Sequence, residues 1–460
     1  MPLKPEVTVY IPSKNYAQFL DEAIGSVLAQ SAQNWELILI DDNSNDTSFQ
    51  KMEKYSDDSR ISIHKVSGIG LPAVANFALK KASGKYFLRL DGDDYLNKFA
   101  LEILTSVMEH NKDLDFAFPD FYEIDDEGRL LSLHTAGQIN NYDHYRGQPP
   151  HGACTIWRTE KLKDLGGYRE DLKSQDGLDV WIKSNQNENF TNIALPLFYY
   201  RKHDSNLTNS KELISNARRS LKLSEVNKIK NKPKITVVIP CRSKYDFVPN
   251  LWNVKMHGKS LLSISLETCL SSSLVDNILV LGDNPEIHNH IKDFSRKDQI
   301  NNISYVERNS NDTRENIPLV DALKEYVQND KEIASGVILI KHLQAPFVTT
   351  SDIDEILCAL ILDGAASSAL VSKLDWTLLS RNRYGLHVIY ERNFISTNME
   401  RFFQYRNTVM ATLGINLKKS SLWGASTTYI EGSNLSNFVL ENKHSIEIAE
   451  AMWAKNNHVE

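Results

Sequence analysis

Apolar and polar residues alternate in the first part of the chain with two different periods. A β-branched run, VTVYI at 7–11, precedes a segment at 16–30 whose apolar residues recur at three- and four-residue spacing, and ELILI follows at 36–40. A second helical pattern near 71–82 leads to KYFLRL at 85–90. Strands that alternate with helices predict a parallel sheet with helices on its faces.

The same pattern begins again after residue 234. ITVVIP at 235–240, like VTVYIP at 7–12, ends at Ile-Pro and enters a cation-bearing loop, as nucleotide-binding α/β domains commonly do. The polar, lysine-rich stretch before it has a helical pattern over 211–224. We therefore predict two Rossmann-like α/β domains, 1–210 and 234–460, joined by a linker and connecting helix at 211–233. Later strands are expected at 277–281 and 336–340, and helices near 260–271, 318–328 and 352–362.

Composition narrows the classes of function and location. The 460 residues are 41% hydrophobic and 24% charged, enough for two or three domains with substantial cores. A formal net charge of −7 without a strongly basic block argues against a nucleic-acid partner. Four widely spaced cysteines favour a reducing compartment without a structural metal site. No apolar stretch approaches the roughly 20 residues of a membrane span, so we expect a cytoplasmic protein, at most peripheral to a membrane.

Two acidic loops follow predicted strands in the first half. DDNSND follows ELILI, and Asp42 at the end of that strand could accept a hydrogen bond from a nucleotide base, although an Asx turn explains the loop equally well. RLDGDDY brings Asp91, Asp93 and Asp94 together. Like charges at this density favour a bound Mg²⁺ or Mn²⁺ that holds a diphosphate, against the alternative of a solvated acidic turn.

Candidate groups for acid–base chemistry lie further along. SQDGLDVW puts Asp176 at the start of a predicted helix, where a carboxylate could deprotonate a hydroxyl nucleophile or simply cap the helix. LFYYRKHDSN brings Arg201 and His203, which could meet phosphate oxygens or could be ordinary surface residues.

In this order, these stretches over residues 5–210 resemble the family 2 glycosyltransferases of the GT-A fold. The "GGYRED" turn at 166–171 and the closing "YYRKH" add to the likeness. Many relatives have Glu-Asp where this chain has Gln175-Asp176, so Asp179 is kept as a second candidate for the base. The resemblance implies an inverting, metal-dependent transfer with these roles: nucleotide contacts from Pro12, Asp42 and Asp91, metal contacts from Asp93 and Asp91, a general base at Asp176, and donor-phosphate or acceptor contacts from Arg201 and His203.

The second half resembles the CMP-sugar synthetases, the cytidylyltransferases that activate sialic-acid-like sugars, over nearly all of 235–455. Arg242 and Lys244 match that family's nucleotide loop, but the loop has no glycine between 241 and 257. An ungapped count puts the family's metal-binding I-D-I-D on 438–441, where one carboxylate becomes Val439. Without glycine for close phosphate approach, and with one carboxylate lost, we expect a degenerate cytidylyltransferase-like domain that binds a sugar, nucleotide or partner, or braces the first.

The favoured hypothesis is a glycosyltransferase of surface-polysaccharide or glycolipid biosynthesis, with Mg²⁺ or Mn²⁺ as cofactor. Its partners would be a nucleotide-sugar donor and a saccharide or lipid-linked acceptor. One alternative is a bifunctional enzyme whose second half makes a CMP-sugar for the first. The other is a non-catalytic scaffold that binds sugars or nucleotides.

Overall fold

A computed structural model describes most of the chain: residues 4–135, 151–172, 174–184, 189–204, 206, 210–298, 300–308, 319–374, 378–382, 385–390 and 402–456. The chain divides into two compact units, Met1–Leu221 and Lys222–Glu460. Each unit contains its own large β-sheet, in which parallel and antiparallel strand pairs are mixed. In sequence, the stretch between the repeated patterns is a helix, Lys211–Lys228, a few residues longer than predicted.

The described residues of the first unit form nine strands and, with the connecting helix, seven helices. The strands are β1 Val7–Ser13, β2 Trp35–Asp42, β3 Ile61–Val66, β4 Tyr86–Arg89, β5 Tyr95–Leu96, β6 Phe116–Ile124, β7 Leu130–His134, β8 Ile156–Arg158 and β9 Phe190–Arg201. The helices are α1 Ala17–Leu28, α2 Ser48–Glu53, α3 Leu71–Lys81, α4 Ala100–His110, α5 Thr159–Asp164, α6 Asp176–Ser184 and α7 Lys211–Lys228.

Strand order in the first sheet gathers several carboxyl ends at one edge. The order is β3-β2-β1-β4-β8-β6-β9-β5, with β7 beside β6. Strands β1 to β4 are parallel, β8 runs antiparallel to both β4 and β6, and β9 is parallel to β6. Strands β1, β2, β4 and β9 therefore all end at the same edge. The chain order reverses at β1, and in such sheets ligands bind outside the strand ends at the reversal.

Helices cover both faces of this sheet. All seven residues of β1 are buried, as expected for a parallel strand with helices on either side. Val9 and Ile11 share a core cluster with Leu20 of α1. Tyr10, between them in sequence, lies in a second cluster with Val74 of α3. Because successive strand residues point to opposite faces, α1 and α3 pack on opposite sides of the sheet. The helices and strands predicted for this part of the chain are confirmed.

The second unit repeats the arrangement around a new central strand. Its sheet has the order β14-β13-β10-β15-β20-β16-β19, with β21 beside β16, and β14, β13, β10 and β15 are parallel. The described strands are β10 Ile235–Cys241, β11 Lys255–Met256, β12 Lys259–Ser260, β13 Asn277–Gly282, β14 Ile303–Glu307, β15 Val337–Lys341, β16 Ser367–Lys373, β17 Leu378–Asn382, β18 Gly385–Tyr390, β19 Phe403–Gln404, β20 Val409–Leu413 and β21 Thr427–Glu431. The helices are α8 Leu261–Leu270, α9 Pro285–Asp298, α10 Leu319–Asn329, α11 Lys331–Ser335, α12 Thr350–Leu362, α13 Gly414–Lys418 and α14 Lys443–Asn456.

A close backbone approach at Gly84 gives a test of the first sheet. Its N–H donates to Thr8 Oγ1 at 2.9 Å, and a Cβ at position 84 would lie 2.5 Å from the Thr8 nitrogen. We expect Gly84→Ala to separate the start of β4 from β1 and to lower the free energy of unfolding by about 1–3 kcal/mol in urea denaturation. Gly25→Ala in α1 is the matched control: no atom lies within 4 Å of its Cβ, and it should stabilise the helix by up to about 1 kcal/mol. Equal stability of the two variants would contradict this packing.

Candidate active site

Most of the site residues predicted from sequence meet at the carboxyl edge of the first sheet. Asp42 and Arg201 are the last residues of β2 and β9, and Pro12 precedes the last residue of β1. Asp91 and Asp93 lie just beyond the end of β4, and a Cβ at Gly92 between them would approach the Pro12 carbonyl oxygen to 3.1 Å. The loop after β4 therefore packs directly on the end of β1.

The loops after β1 and β2 hold each other in place. The Asn15 N–H donates to Ser44 Oγ at 2.9 Å, and the Asn45 N–H donates to Asn15 Oδ1 at 2.7 Å. Asp46 Oδ2 accepts from the N–H of Ala17 at 3.0 Å, which satisfies a donor at the start of α1. These hydrogen bonds between side chains and backbone fix the loops after β1 and β2, which lie beside the point where the strand order reverses.

Asp42 binds backbone at the start of α3. Its two carboxylate oxygens accept from the N–H groups of Ile69 and Gly70 at 2.7 and 3.0 Å. The side chain is buried, and its neighbours Asn43 and Ile69 line an open depression together with Lys65, Val66 and Ser67. Each oxygen keeps a second acceptor position, so a contact with a nucleotide base stays a prediction.

Arg89 connects two of the predicted carboxylates. It ends β4 and is only 9% exposed. Its Nη1 donates to Asp176 Oδ2 at 2.7 Å, while Nε lies 3.0 Å from Asp91 Oδ1 and Nη2 donates to Asp91 Oδ2 at 3.2 Å. Charge-assisted bonds of this kind are short and direction-specific. The guanidinium thus brings the carboxylate from the start of α6 to the loop after β4.

Asp176 begins α6 after a residue in the left-handed region, Gln175, whose φ is 62°. The Asp176 side chain is buried and bound to Arg89, and it lines a small cavity of about 20 Å³ together with Gly152, Tyr168 and other residues. A cavity of this size has room for about one water molecule. The alternative base, Asp179, accepts from Lys183 Nζ at 2.7 Å and does not line this cavity.

His203 and Asp93 face each other next to α1. His203 Nε2 lies 2.9 Å from Asp93 Oδ2, and both side chains are 7% exposed. The imidazole stacks on Phe19 with ring centres 5.2 Å apart, and Tyr16 approaches its edge at 5.8 Å. Phe19 of α1 and Tyr16, which directly precedes the helix, therefore orient the histidine toward the acidic loop.

Arg201 is used to fix that loop. Its side chain is 2% exposed, its Nε donates to the Asp93 carbonyl at 2.9 Å, and its Nη1 donates to the Asp126 carbonyl at 2.9 Å. Its backbone N–H donates to Asp94 Oδ1 at 2.9 Å, and Nη2 pairs with Glu22. Since a phosphate would have to displace these partners, the predicted contact of Arg201 with donor or acceptor remains a prediction, whereas its structural role follows from the geometry.

Negative charge accumulates around this loop. Burial raises the pKa of Asp91, Arg89 lowers it, and the charges of Asp93 and Asp176 raise it, so that the net pKa is about 6. Burial and the charges of Asp93 and Asp91 raise the pKa of Asp94 well above its usual value. An additional cation would lower the electrostatic energy of this cluster.

The residues present fit a divalent cation that shares its coordination with a ligand. Among the described residues no group of three or more His, Cys, Asp or Glu side chains forms a complete metal cage. Asp93 Oδ2 and His203 Nε2 nevertheless have the separation of about 3 Å expected for adjacent ligands of an octahedral ion. Asp94 Oδ2 is buried nearby and makes no hydrogen bond. Phosphate oxygens and water would supply the remaining positions.

Sequence reasoning missed Arg89, Tyr16 and Gly152. The signal for Arg89 was present, because it is a lone charge near the end of the apolar run YFLRL, where burial requires a partner. Gly152 and Tyr16 act through shape, which only the fold reveals.

Comparisons with known proteins identify the class of the first unit. Residues 8–166 match the family model "Glycosyl transferase family 2". The N-terminal region therefore contains a family 2 glycosyltransferase domain, a transferase class with a GT-A-like α/β fold, and this part of the expected resemblance is confirmed. The cytidylyltransferase resemblance of the second half stays a prediction.

Individual relatives match parts of the chain. An uncharacterised glycosyltransferase of Rickettsia bellii is 28% identical over 205 residues, 44% of this chain and 30% of the relative, so the chain spans about a third of that protein. The Escherichia coli protein UDP-Glc:alpha-D-GlcNAc-diphosphoundecaprenol beta-1,3-glucosyltransferase WfgD is 27% identical over 207 residues, 45% of this chain and 80% of WfgD. The structure of S. aureus TarS 1–349 with UDP-GlcNAc covers 48% of this chain and 67% of that chain, at 22% identity and a TM-score of 0.42. In the part of the chain that the structure describes, no helix is both long and apolar enough to cross a membrane.

The charge cluster predicts a pH-dependent response to metal. A carboxyl group with a raised pKa in the folded state makes the metal-free protein lose stability as pH rises from about 4 to about 6. Metal binding needs the ionised carboxylate, so Mn²⁺ should raise the melting temperature more at pH 7 than at pH 5. Scanning fluorimetry of the full chain measures this. Asp58→Asn, in a surface ion pair with Arg60, is a control that should keep the response. An equal shift at both pH values, or a full shift in Asp93→Asn, would contradict the site.

Proposed function

We propose that the chain is an inverting glycosyltransferase that moves a sugar from a nucleotide-sugar donor to a hydroxyl acceptor with the help of Mg²⁺ or Mn²⁺. The observation that carries the proposal is the meeting of Asp42, Asp93 and Asp176 around one sheet edge, in a unit that contains a family 2 glycosyltransferase domain. Inversion is what the family 2 resemblance implies, and metal dependence is supported by the chemistry of these side chains.

The donor would lie outside the ends of β1 and β4. Asp42 and the loops after β1 and β2 form one wall, and nucleotide and diphosphate would extend from there toward Asp93 and His203. Asp93 and His203 would hold the divalent cation, with Asp91 beside them. When bound, this cation supplies positive charge to the diphosphate leaving group. The Arg201 contacts would keep the loop after β4 in place while the donor binds.

Asp176 has the properties of a general base for the acceptor. Its carboxylate is buried, lines a cavity and accepts a hydrogen bond from Arg89, which keeps it oriented. An acceptor hydroxyl within hydrogen-bond reach would lose its proton to Asp176 as its oxygen attacks the anomeric carbon. In the inverting reaction the diphosphate leaves from the opposite face of the sugar.

The biological setting follows from similarity to proteins with named activities. WfgD is named as acting on a sugar linked to undecaprenol diphosphate. We infer the same broad class here: surface-polysaccharide or glycolipid assembly at the cytoplasmic side, with a saccharide or lipid-linked acceptor. The identities of donor and acceptor are left to experiment.

For the second unit we propose a framework that has lost nucleotidyl transfer. The loop after β10 closes on itself, because the Asn250 N–H donates to the Ser243 carbonyl at 2.7 Å. Arg242 lies over the ring of Tyr245 at 4.9 Å, and Lys244 is exposed. This arrangement supports packing of the loop better than capture of a triphosphate, which requires several donors directed at one point.

The positions aligned with a metal motif support the same proposal. Leu440 is fully buried in the core, and Phe438 packs edge-on against Phe347 at 5.8 Å. Glu441, the one carboxylate of the four, pairs with Arg406 at 2.7 Å. A single surface carboxylate that already has a cationic partner is a poor site for Mg²⁺.

A donor screen tests the proposed function directly. Calorimetry of the full chain with UDP-, GDP-, dTDP- and CMP-sugars, each with Mn²⁺ or with excess EDTA, should find one nucleotide class that binds only with the metal. Absence of binding by every class would refute the function. Undiminished affinity in EDTA would refute its metal dependence.

Replacement of the proposed base should affect turnover far more than binding. We expect Asp176→Asn to lower kcat by about 10²-fold or more while donor affinity stays within a few-fold, because the carboxylate acts on the acceptor. Asp179→Asn is the matched comparison, since it removes a carboxylate of the same helix that pairs with Lys183. If Asp176→Asn turns over like the wild type and only melts earlier, Asp176 is structural.

The second unit should release no pyrophosphate. The full chain carrying Asp176→Asn, given CTP, Mg²⁺ and a panel of nonulosonic and 3-deoxy acids, is expected to match the enzyme-free control because no triphosphate is held in line for attack. Release that depends on both the sugar acid and Arg242 would show that the chain is bifunctional.

A further inference from the structure

We propose that Arg89 is a positioning residue that locks the base and the donor-binding loop into one ion-pair chain, and that its charge also opposes the metal. The inference rests on the proposed function of Asp176 and Asp93. It adds a residue that touches neither sugar nor phosphate in that scheme.

The chain of charges runs Asp91–Arg89–Asp176, with the cation in the middle. The guanidinium donates from Nη1 to Asp176 at 2.7 Å and from Nη2 to Asp91 at 3.2 Å, and Nε lies 3.0 Å from Asp91 Oδ1. Arg89 is therefore the shared partner of a buried carboxylate, Asp176, and a partly buried one, Asp91. Without it, both carboxylates would lose their cationic partner. Asp91 and Asp176 are 85 residues apart in sequence. We infer that the Arg89 guanidinium, which binds both, sets the distance between the loop after β4 and the proposed base.

The Arg89 guanidinium packs directly against the backbone at Gly152. A Cβ at Gly152 would lie 2.8 Å from Arg89 Nη2 and 3.0 Å from Cζ. The segment around Gly152 is tied to the same strand end, since Cys154 N–H donates to the Arg89 carbonyl at 2.8 Å. Gly152→Ala would therefore push the guanidinium away from its partners without removing any charge.

Arg89 positions the proposed base, but its positive charge should weaken metal binding. A positive charge about 3 Å from Asp91 repels a divalent cation that approaches the same acidic loop. Loss of the Arg89 charge should make Mn²⁺ binding tighter. Loss of the planar guanidinium, which donates to both carboxylates, should misplace Asp176 and slow turnover. A residue that merely stabilises the fold would weaken both together.

The test compares full-length wild type with Arg89→Gln, Arg89→Lys and Gly152→Ala. Mn²⁺ affinity is measured without nucleotide by electron paramagnetic resonance at pH 8. Turnover is the release of nucleoside diphosphate from the UDP-, GDP-, dTDP- and CMP-sugar panel with water as acceptor. Arg158→Lys is the control for an arginine that binds the backbone carbonyls of Leu114 and Met108, and Gly25→Ala is the control for an open glycine.

We expect Arg89→Gln to lower kcat by about tenfold to 10²-fold with KM for the donor within about threefold, and to tighten Mn²⁺ binding several-fold. Arg89→Lys keeps one charge without the fork, so its kcat should fall while its Mn²⁺ affinity stays near that of wild type. Gly152→Ala should lower kcat, and both controls should keep it.

Two results would overturn the inference. The first is wild-type kcat in Arg89→Lys and Gly152→Ala. The second is an Mn²⁺ affinity in Arg89→Gln that is unchanged or weaker than in the wild type. This result does not depend on activity. If the wild type releases no nucleoside diphosphate from any donor, that outcome separately refutes the proposed function. If Arg89→Gln does not fold, the other two variants decide the positioning role.

Discussion

The first unit depends on how it compensates negative charge buried at the carboxyl edge of its sheet. Asp91, Asp93, Asp94 and Asp176 all lie in or beside this edge, where burial makes an unpaired carboxylate costly. Arg89 compensates two of them. A separate set of contacts from Arg201 and His203 orients the loop that carries the other two. The acidic loop keeps its shape because Arg89 and Arg201 come from strands that end at the same edge, and His203 lies two residues after Arg201.

The two units place different residues at one corresponding position beside the central strand. Both have a central strand ending in Ile-Pro, flanked by parallel strands on each side. Tyr10 pairs with Arg89 in the first unit, and Val238 pairs with Ile340 in the second, so His342 occupies the place of Asp91. Burial, with the nearby charges of Lys341 and Arg242, lowers the pKa of His342 to about 4. An imidazole with a lowered pKa near two cations thus stands where the first unit has a carboxylate, which is consistent with the proposal that the second unit does not hold a metal diphosphate.

Much of the fold could be predicted from sequence because apolar periodicity is local. The helix expected at 16–30 is Ala17–Leu28, and the strand expected at 336–340 is Val337–Lys341. Pairings between distant segments could not be predicted in this way. Arg89 meets Asp176 only because α6 starts beside the end of β4, and Arg201 turns toward carbonyl groups because β9 ends next to the same loop. Residue types suggested candidate groups for the chemistry, but a proposal of which residues bind ligand and which position others required the sheet order.

The central claim is that a metal-bound diphosphate occupies the edge between β1 and β4. The most direct measurement is the anomalous scattering of Mn²⁺ in crystals of the full chain with the nucleoside diphosphate of the class that binds in calorimetry. We expect a manganese peak about 2.1–2.3 Å from an Asp93 carboxylate oxygen and from a diphosphate oxygen. A diphosphate bound in the second unit, or a manganese ion away from Asp93, would contradict it.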